Sequence, residues 1–154
     1  MRLWLGFAEK RLREDLSAFP LDCSVGLPMI ALHAGQCEMS AVFDTGAAYC
    51  ILNAVHTEEL GIQAERVYAL EVRDPAGGQG EMPVYRLENI HIGGIKLGIC
   101  EAFIISLEPI EQRLEKRIDF VLGANAMLTS ALVWVLDKKQ GKVYVSARDV
   151  NVYI

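Results

Sequence analysis

Apolar and polar positions alternate through most of this chain, and the alternation predicts strands. Residues 27–33 form an apolar run that Ala34-Gly35 interrupts. Residues 36–43 then place Cys37, Met39, Ala41 and Phe43 on one face, with Glu38, Ser40 and Val42 on the other. Two such runs around a glycine turn predict a β-hairpin. Further strands are expected over 68–73, 82–92 and 95–106. Asp74-Pro75-Ala76-Gly77-Gly78-Gln79-Gly80 would turn the chain between the first two, and Gly93-Gly94 before the third. Residues 132–136 and 142–146 predict another hairpin around Lys138-Lys139-Gln140-Gly141, and 150–154 a terminal strand.

Helices are expected to be few and short. Residues 8–18 read as a charged helix that Pro20 ends. Asn53 suits an N-cap before 54–60, with Gly61 at the C′ position. Pro109 opens a charged helical segment over 109–117, and 125–130 makes a last short helix. The expected architecture is therefore mostly β, with a helical extension over 1–22 and one domain over 23–154.

Composition narrows the class. The chain has 154 residues and is 52% hydrophobic, enough for one domain with a real core. The net charge of -5 is spread along the chain, with no basic block for nucleic acid. No apolar run reaches the length of a membrane span, and the N-terminal one is too short for a signal segment. Cys23, Cys37, Cys50 and Cys100 form no C-x-x-C pair, so free buried thiols are preferred over a disulfide framework. Together these readings place the protein in the cytoplasm, without nucleic-acid or membrane partners.

Asp44-Thr45-Gly46-Ala47 follows directly on the second strand. A carboxylate in an apolar loop would resist ionisation, which is how general acids and bases are tuned. Thr45 would fix the loop by donating to a nearby carbonyl. Gly46 would let a ligand approach closely. The plainer alternative is an Asx-turn closing the strand. The tripeptide turns up by chance in roughly a few of every hundred chains of this length, so context must decide.

That context resembles the retropepsin family, the single-domain aspartic proteases of retroviral type. Ala41-Val42-Phe43-Asp44-Thr45-Gly46-Ala47 is similar to the family's apolar strand and active-site triplet. The glycine-rich turn at 74–80 stands where the family has its flap. Phe120-Val121-Leu122-Gly123-Ala124-Asn125 is similar to its apolar pair and Gly before the last helix, and Ile92-Gly93-Gly94 matches a turn of bacterial members. The resemblance covers residues 25–146. It implies a closed β-barrel with a flap hairpin and a homodimer in which two Asp44 carboxylates meet and share a proton. Such a dimer is an endopeptidase acting on protein or peptide substrates. Asp44, Thr45 and Gly46 would be catalytic. Ala47, Ala48, Gly77 and Gly78 would hold the substrate, with no metal or cofactor.

Three features depart from the family pattern. Cys50 stands where many members carry Ser or Thr, and Ala48-Tyr49 replace short polar or acidic residues. The N-terminal extension and 108–117 are additions to the minimal viral enzyme. A second reading is therefore a peptide-binding or scaffolding module that keeps the fold without turnover. Asp119 is the main rival carboxylate. His33, His56 and His91 are isolated in the sequence and read as ordinary polar residues.

Overall fold

The alternation around Gly35 forms the hairpin of β2 (Met29–Ala34) and β3 (Cys37–Phe43), in register from Met29↔Val42 to Ala34↔Cys37. In the computed structural model, residues 16–73, 76–130 and 132–146 are described. Ile30, Leu32, Met39 and Ala41 point into the main core. Met29 and Val42 point the other way, into a second cluster with Leu107 and Ile118. Val42 lies on the face that the alternation marks as polar. It is buried because the segment after residue 106 folds over it.

The remaining strands are β1 (Leu16–Pro20), β4 (Cys50–Asn53), β5 (Ala64–Arg73), β6 (Gln79–Leu87), β7 (Ile90–Ile92), β8 (Ile95–Lys96), β9 (Cys100–Ile105), β10 (Phe120–Leu122), β11 (Trp134–Asp137) and β12 (Lys142–Ser146). The helices are α1 (Thr57–Leu60), α2 (Glu108–Leu114) and α3 (Ala124–Thr129). A three-stranded sheet has the order β1-β12-β11, and the larger sheet runs β5-β6-β9-β4-β10-β3-β2-β7-β8.

The order of the large sheet positions the site. Strands β3 and β4 follow one another in the chain, yet β10 lies between them. It is parallel to β3, with Leu122 opposite Phe43, and antiparallel to β4, with Phe120 opposite Leu52. A central strand covered on both faces calls for a continuous apolar run, and Phe120-Val121-Leu122 supplies one. Phe120 and Leu122 are fully buried.

Asn53 ties the 106–119 segment to this sheet. Its Oδ1 accepts from Val55 N at 3.3 Å, the cap expected from the sequence, and also from Leu107 N at 3.0 Å. Its Nδ2 donates to Ile118 O at 2.8 Å. Glu111 of α2 receives Ile118 N at 2.7 Å and bonds His56 Nε2 at 2.8 Å. Burial pushes the Glu111 carboxyl up, but these bonds outweigh it and hold the group below its ordinary value. Gly61 closes α1 at φ 61, the left-handed cap that its type allows.

Several expectations change. Of the helix expected over 8–18, residues 16–18 are strand, because Leu16, Ser17 and Ala18 pair with Ser146, Val145 and Tyr144. Its other residues lie outside the described ones. The strand expected over 82–92 is broken at Glu88-Asn89, where Asn89 takes φ 59. The strand over 95–106 is broken between β8 and β9, where Gly98 packs on the end of α3. A Cβ on Gly98 would lie 2.8 Å from Ser130 N. The closed barrel is not formed among the described residues. The large sheet ends on β5 at one side and on the two-residue β8 at the other. The expected 150–154 strand lies outside the described residues. All four cysteines are free thiols.

Candidate active site

The loop 44–49 links β3 to β4 and passes over the end of β10. Asp44 N donates to Leu122 O at 3.0 Å. On the far side, Ala124 N donates to Ala47 O at 2.7 Å and Asn125 N to Ala48 O at 3.2 Å. Residues 122–125 thus hold the loop at both ends through backbone. Gly123 is required there, because a Cβ would collide with the Tyr49 carbonyl. Its N–H donates to Cys50 Sγ at 3.4 Å, and the thiol donates to Asn125 Oδ1 at 3.4 Å. Asn125 Nδ2 then reaches Glu101 O at 2.7 Å. Cys50 therefore bridges both partners, at the longer distances sulfur imposes. The neighbouring Cys100 thiol is pushed above its usual range by its bond to Cys50 and by burial.

The backbone is held while the chemistry-bearing side chains face outward. Asp44, Thr45 and Gly46 are exposed, which corrects the apolar surroundings expected for the carboxylate. Asp44 Oδ1 accepts from Gly46 N at 2.8 Å, so the Asx-turn is present. Its Oδ2 has no partner among the described residues. A Cβ on Gly46 would sit 3.2 Å from Oδ1, so glycine keeps this turn tight. The Thr45 hydroxyl, expected to bond a nearby carbonyl, has no such partner among the described residues. Ala47 is partly buried and Ala48 exposed.

Gly77 and Gly78 lie at the exposed tip between β5 and β6, with Gly77 at φ 88. The hairpin is joined to the Asp44 loop lower down. The Tyr68 hydroxyl on β5 donates to Glu101 Oε2 at 2.6 Å and lies 3.2 Å from the Tyr49 hydroxyl. The bond to the Glu101 carboxylate holds the Tyr68 phenol protonated, above its usual range. The Tyr49 ring packs against Phe103 at a tilt of 46°, with ring centroids 5.1 Å apart. Sequence reasoning missed Tyr68 and Glu101, because residues 33 apart carry no local sign of meeting.

Asp119, the rival acid, is spent on structure. It is 2% exposed, with Oδ2 taking Ser40 N at 2.8 Å and Oδ1 taking Arg117 Nε at 2.7 Å. His33 and His91 face each other across β2 and β7, and His56 is bonded to Glu111. No group of three or more His, Cys, Asp or Glu among the described residues is placed to hold a metal ion.

Residues 30–126 match the sequence profile of a family described as aspartyl protease. The match takes in more than half of the chain, including the whole Asp44 loop and its Gly123 support. This chain belongs to the aspartyl protease family. The crystal structure of a retropepsin-like aspartic protease from Rickettsia conorii superposes with a TM-score of 0.51. The two are 17% identical, over 84% of this chain and 89% of that one. The chain therefore has a mostly β, retropepsin-like fold. No curated protein sequence matches it. No helix among its described residues is long and apolar enough to cross a membrane.

Proposed function

We propose that the protein is an aspartic endopeptidase whose active site forms when two copies bring their Asp44 carboxylates together. The observation that carries this reading is an outward-facing carboxylate, one oxygen of which has no partner among the described residues, on a loop clamped from behind. Family membership supports proteolysis as the activity. Two carboxylates in contact cannot both ionise easily, so the pair holds one proton between them. The ionised Asp44 takes a proton from a bound water as the water oxygen attacks the peptide carbonyl carbon. The protonated Asp44 gives its proton to the carbonyl oxygen. Collapse of the tetrahedral intermediate breaks the C–N bond: the leaving amine takes the proton that the first Asp44 had accepted from water, and a hydroxyl of the intermediate returns a proton to the second Asp44.

In this scheme Thr45 and Gly46 shape the meeting point of the two loops. Ala47 and Ala48, whose carbonyls are held by Ala124 N and Asn125 N, line the path of an extended peptide with their small side chains. The Gly77-Gly78 tip closes over it and excludes water, a movement that glycines suit. No metal or cofactor enters the scheme. The test is cleavage of an unstructured polypeptide by the pure protein and by Asp44→Asn. Cleavage by the first alone is expected. Equal cleavage by both contradicts the assignment, and peptide binding without cleavage by the wild type would make the protein a binding module.

A further inference from the structure

Thr45 also borders an open groove of about 540 Å³ whose walls include Phe43, Met127, Leu128, Trp134 and Leu136. The Phe43 and Trp134 rings meet at 5.3 Å and 53° in its wall. Leu128 projects from α3 and is 81% exposed, while Ala126 of the same helix is buried. An apolar recess beside a protruding leucine is a surface that water disfavours and that marks an interaction site.

The proposed chemistry names the occupant. These 154 residues carry one Asp-Thr-Gly, and in the two-carboxylate reading the second carboxylate is Asp44 of another copy. Asp44 lies between Phe43 and Thr45, both of which line the groove. A copy that brings its Asp44 to this one therefore arrives at the groove as well. A two-fold interface sets the same patch against itself, so the patch must offer both a projection and a recess. This one does. We infer that Leu128 of each copy seats in the Phe43–Trp134–Leu136 groove of its partner, giving two apolar contacts that flank the paired carboxylates. The inference rests on the two-carboxylate reading and adds the surface that assembles it.

Sedimentation of the full chain across concentration tests it, with the wild type compared against Leu128→Asp and Val135→Asp. Val135 is 40% exposed on β11, on the opposite side of the strand from Trp134 and Leu136, and is the matched control. The wild type and Val135→Asp are expected to dimerise alike. Leu128→Asp is expected to raise the dissociation constant roughly 100-fold or more, with an unchanged far-ultraviolet circular dichroism spectrum. Should Leu128→Asp fail to fold, Leu128→Ala should still weaken the dimer, by about 10-fold. A monomeric wild type, a Leu128→Asp variant that dimerises like the wild type, or equal loss in both variants overturns the inference. A dimer that Leu128→Asp dissolves but that cleaves nothing keeps the interface and sinks the protease reading. Cleavage by an undisturbed Leu128→Asp dimer sinks the interface alone.

Discussion

Asp44 and Asp119 lie at opposite ends of the same β3–β10 pairing, and their surroundings differ in almost every respect. Asp119 is buried, and both of its oxygens are taken by Ser40 N and Arg117 Nε. Asp44 is exposed, and among the described residues only one of its oxygens is used, by Gly46 N. A buried acid with both oxygens engaged strengthens a fold and is closed to a substrate. An exposed acid on a clamped backbone does the reverse. Its position is fixed by bonds made by other atoms, and its free oxygen stays available. On the proposed function, the contrast is that between a structural carboxylate and a chemical one.

The strongest way to break the contrast is to exchange what each acid can do. Asp44→Asn should lower cleavage by about 1,000-fold or more. Its unfolding free energy should stay within about 0.5 kcal/mol of wild type, as measured by denaturant titration. Asp119→Ala should do the opposite. Leaving Ser40 N–H and Arg117 without their partner should cost about 2–4 kcal/mol of stability. Cleavage per folded molecule should be kept. A stable, inactive Asp119→Ala protein would reverse the two roles.

Gly123→Ala sharpens the claim that the loop is held from behind. The new methyl must displace the Tyr49 carbonyl, so a loss of about 1–3 kcal/mol and of roughly 10- to 100-fold in cleavage is expected. Wild-type kinetics in a correctly folded variant would show that the clamp does not set the geometry.

The smallest effect concerns Glu111, which belongs with Asp119 among the structural acids. Its folded-state pKa is depressed, so its stabilisation is complete above the ordinary value of 4.5 and is lost as pH falls through the folded value. Glu111→Gln should therefore flatten the fall in stability below that pH, by about 1 kcal/mol or less, in unfolding curves taken across the acid range. An unchanged pH slope would remove Glu111 from the network.

What could be read in the sequence was local. The β2–β3 hairpin, the Asn53 cap, Gly61 and the Asp-Thr-Gly loop each declare themselves within a few residues. Gly123 was marked only by its place in a motif, and its reason, contact with the Tyr49 backbone, is a tertiary fact. Strand β1 was read as helix because its charged neighbours suit one, while its partner β12 lies at the far end of the chain. The long strands were over-extended because Asn89 and Gly98 break them for reasons of packing. Of the two partners of Asp119, Arg117 is two residues away, but Ser40 is 79 away and equally hidden. Its structural role emerges only once β10 is seen lying against β3.

The central claim is that one reaction site draws Asp44 from two chains. Mixed dimers test it most directly. Wild type is refolded with increasing shares of Asp44→Asn, and cleavage is measured at constant total protein. If each site needs both carboxylates, activity falls with the square of the wild-type fraction. A fall in simple proportion to that fraction would mean that each chain works alone, and would contradict the account.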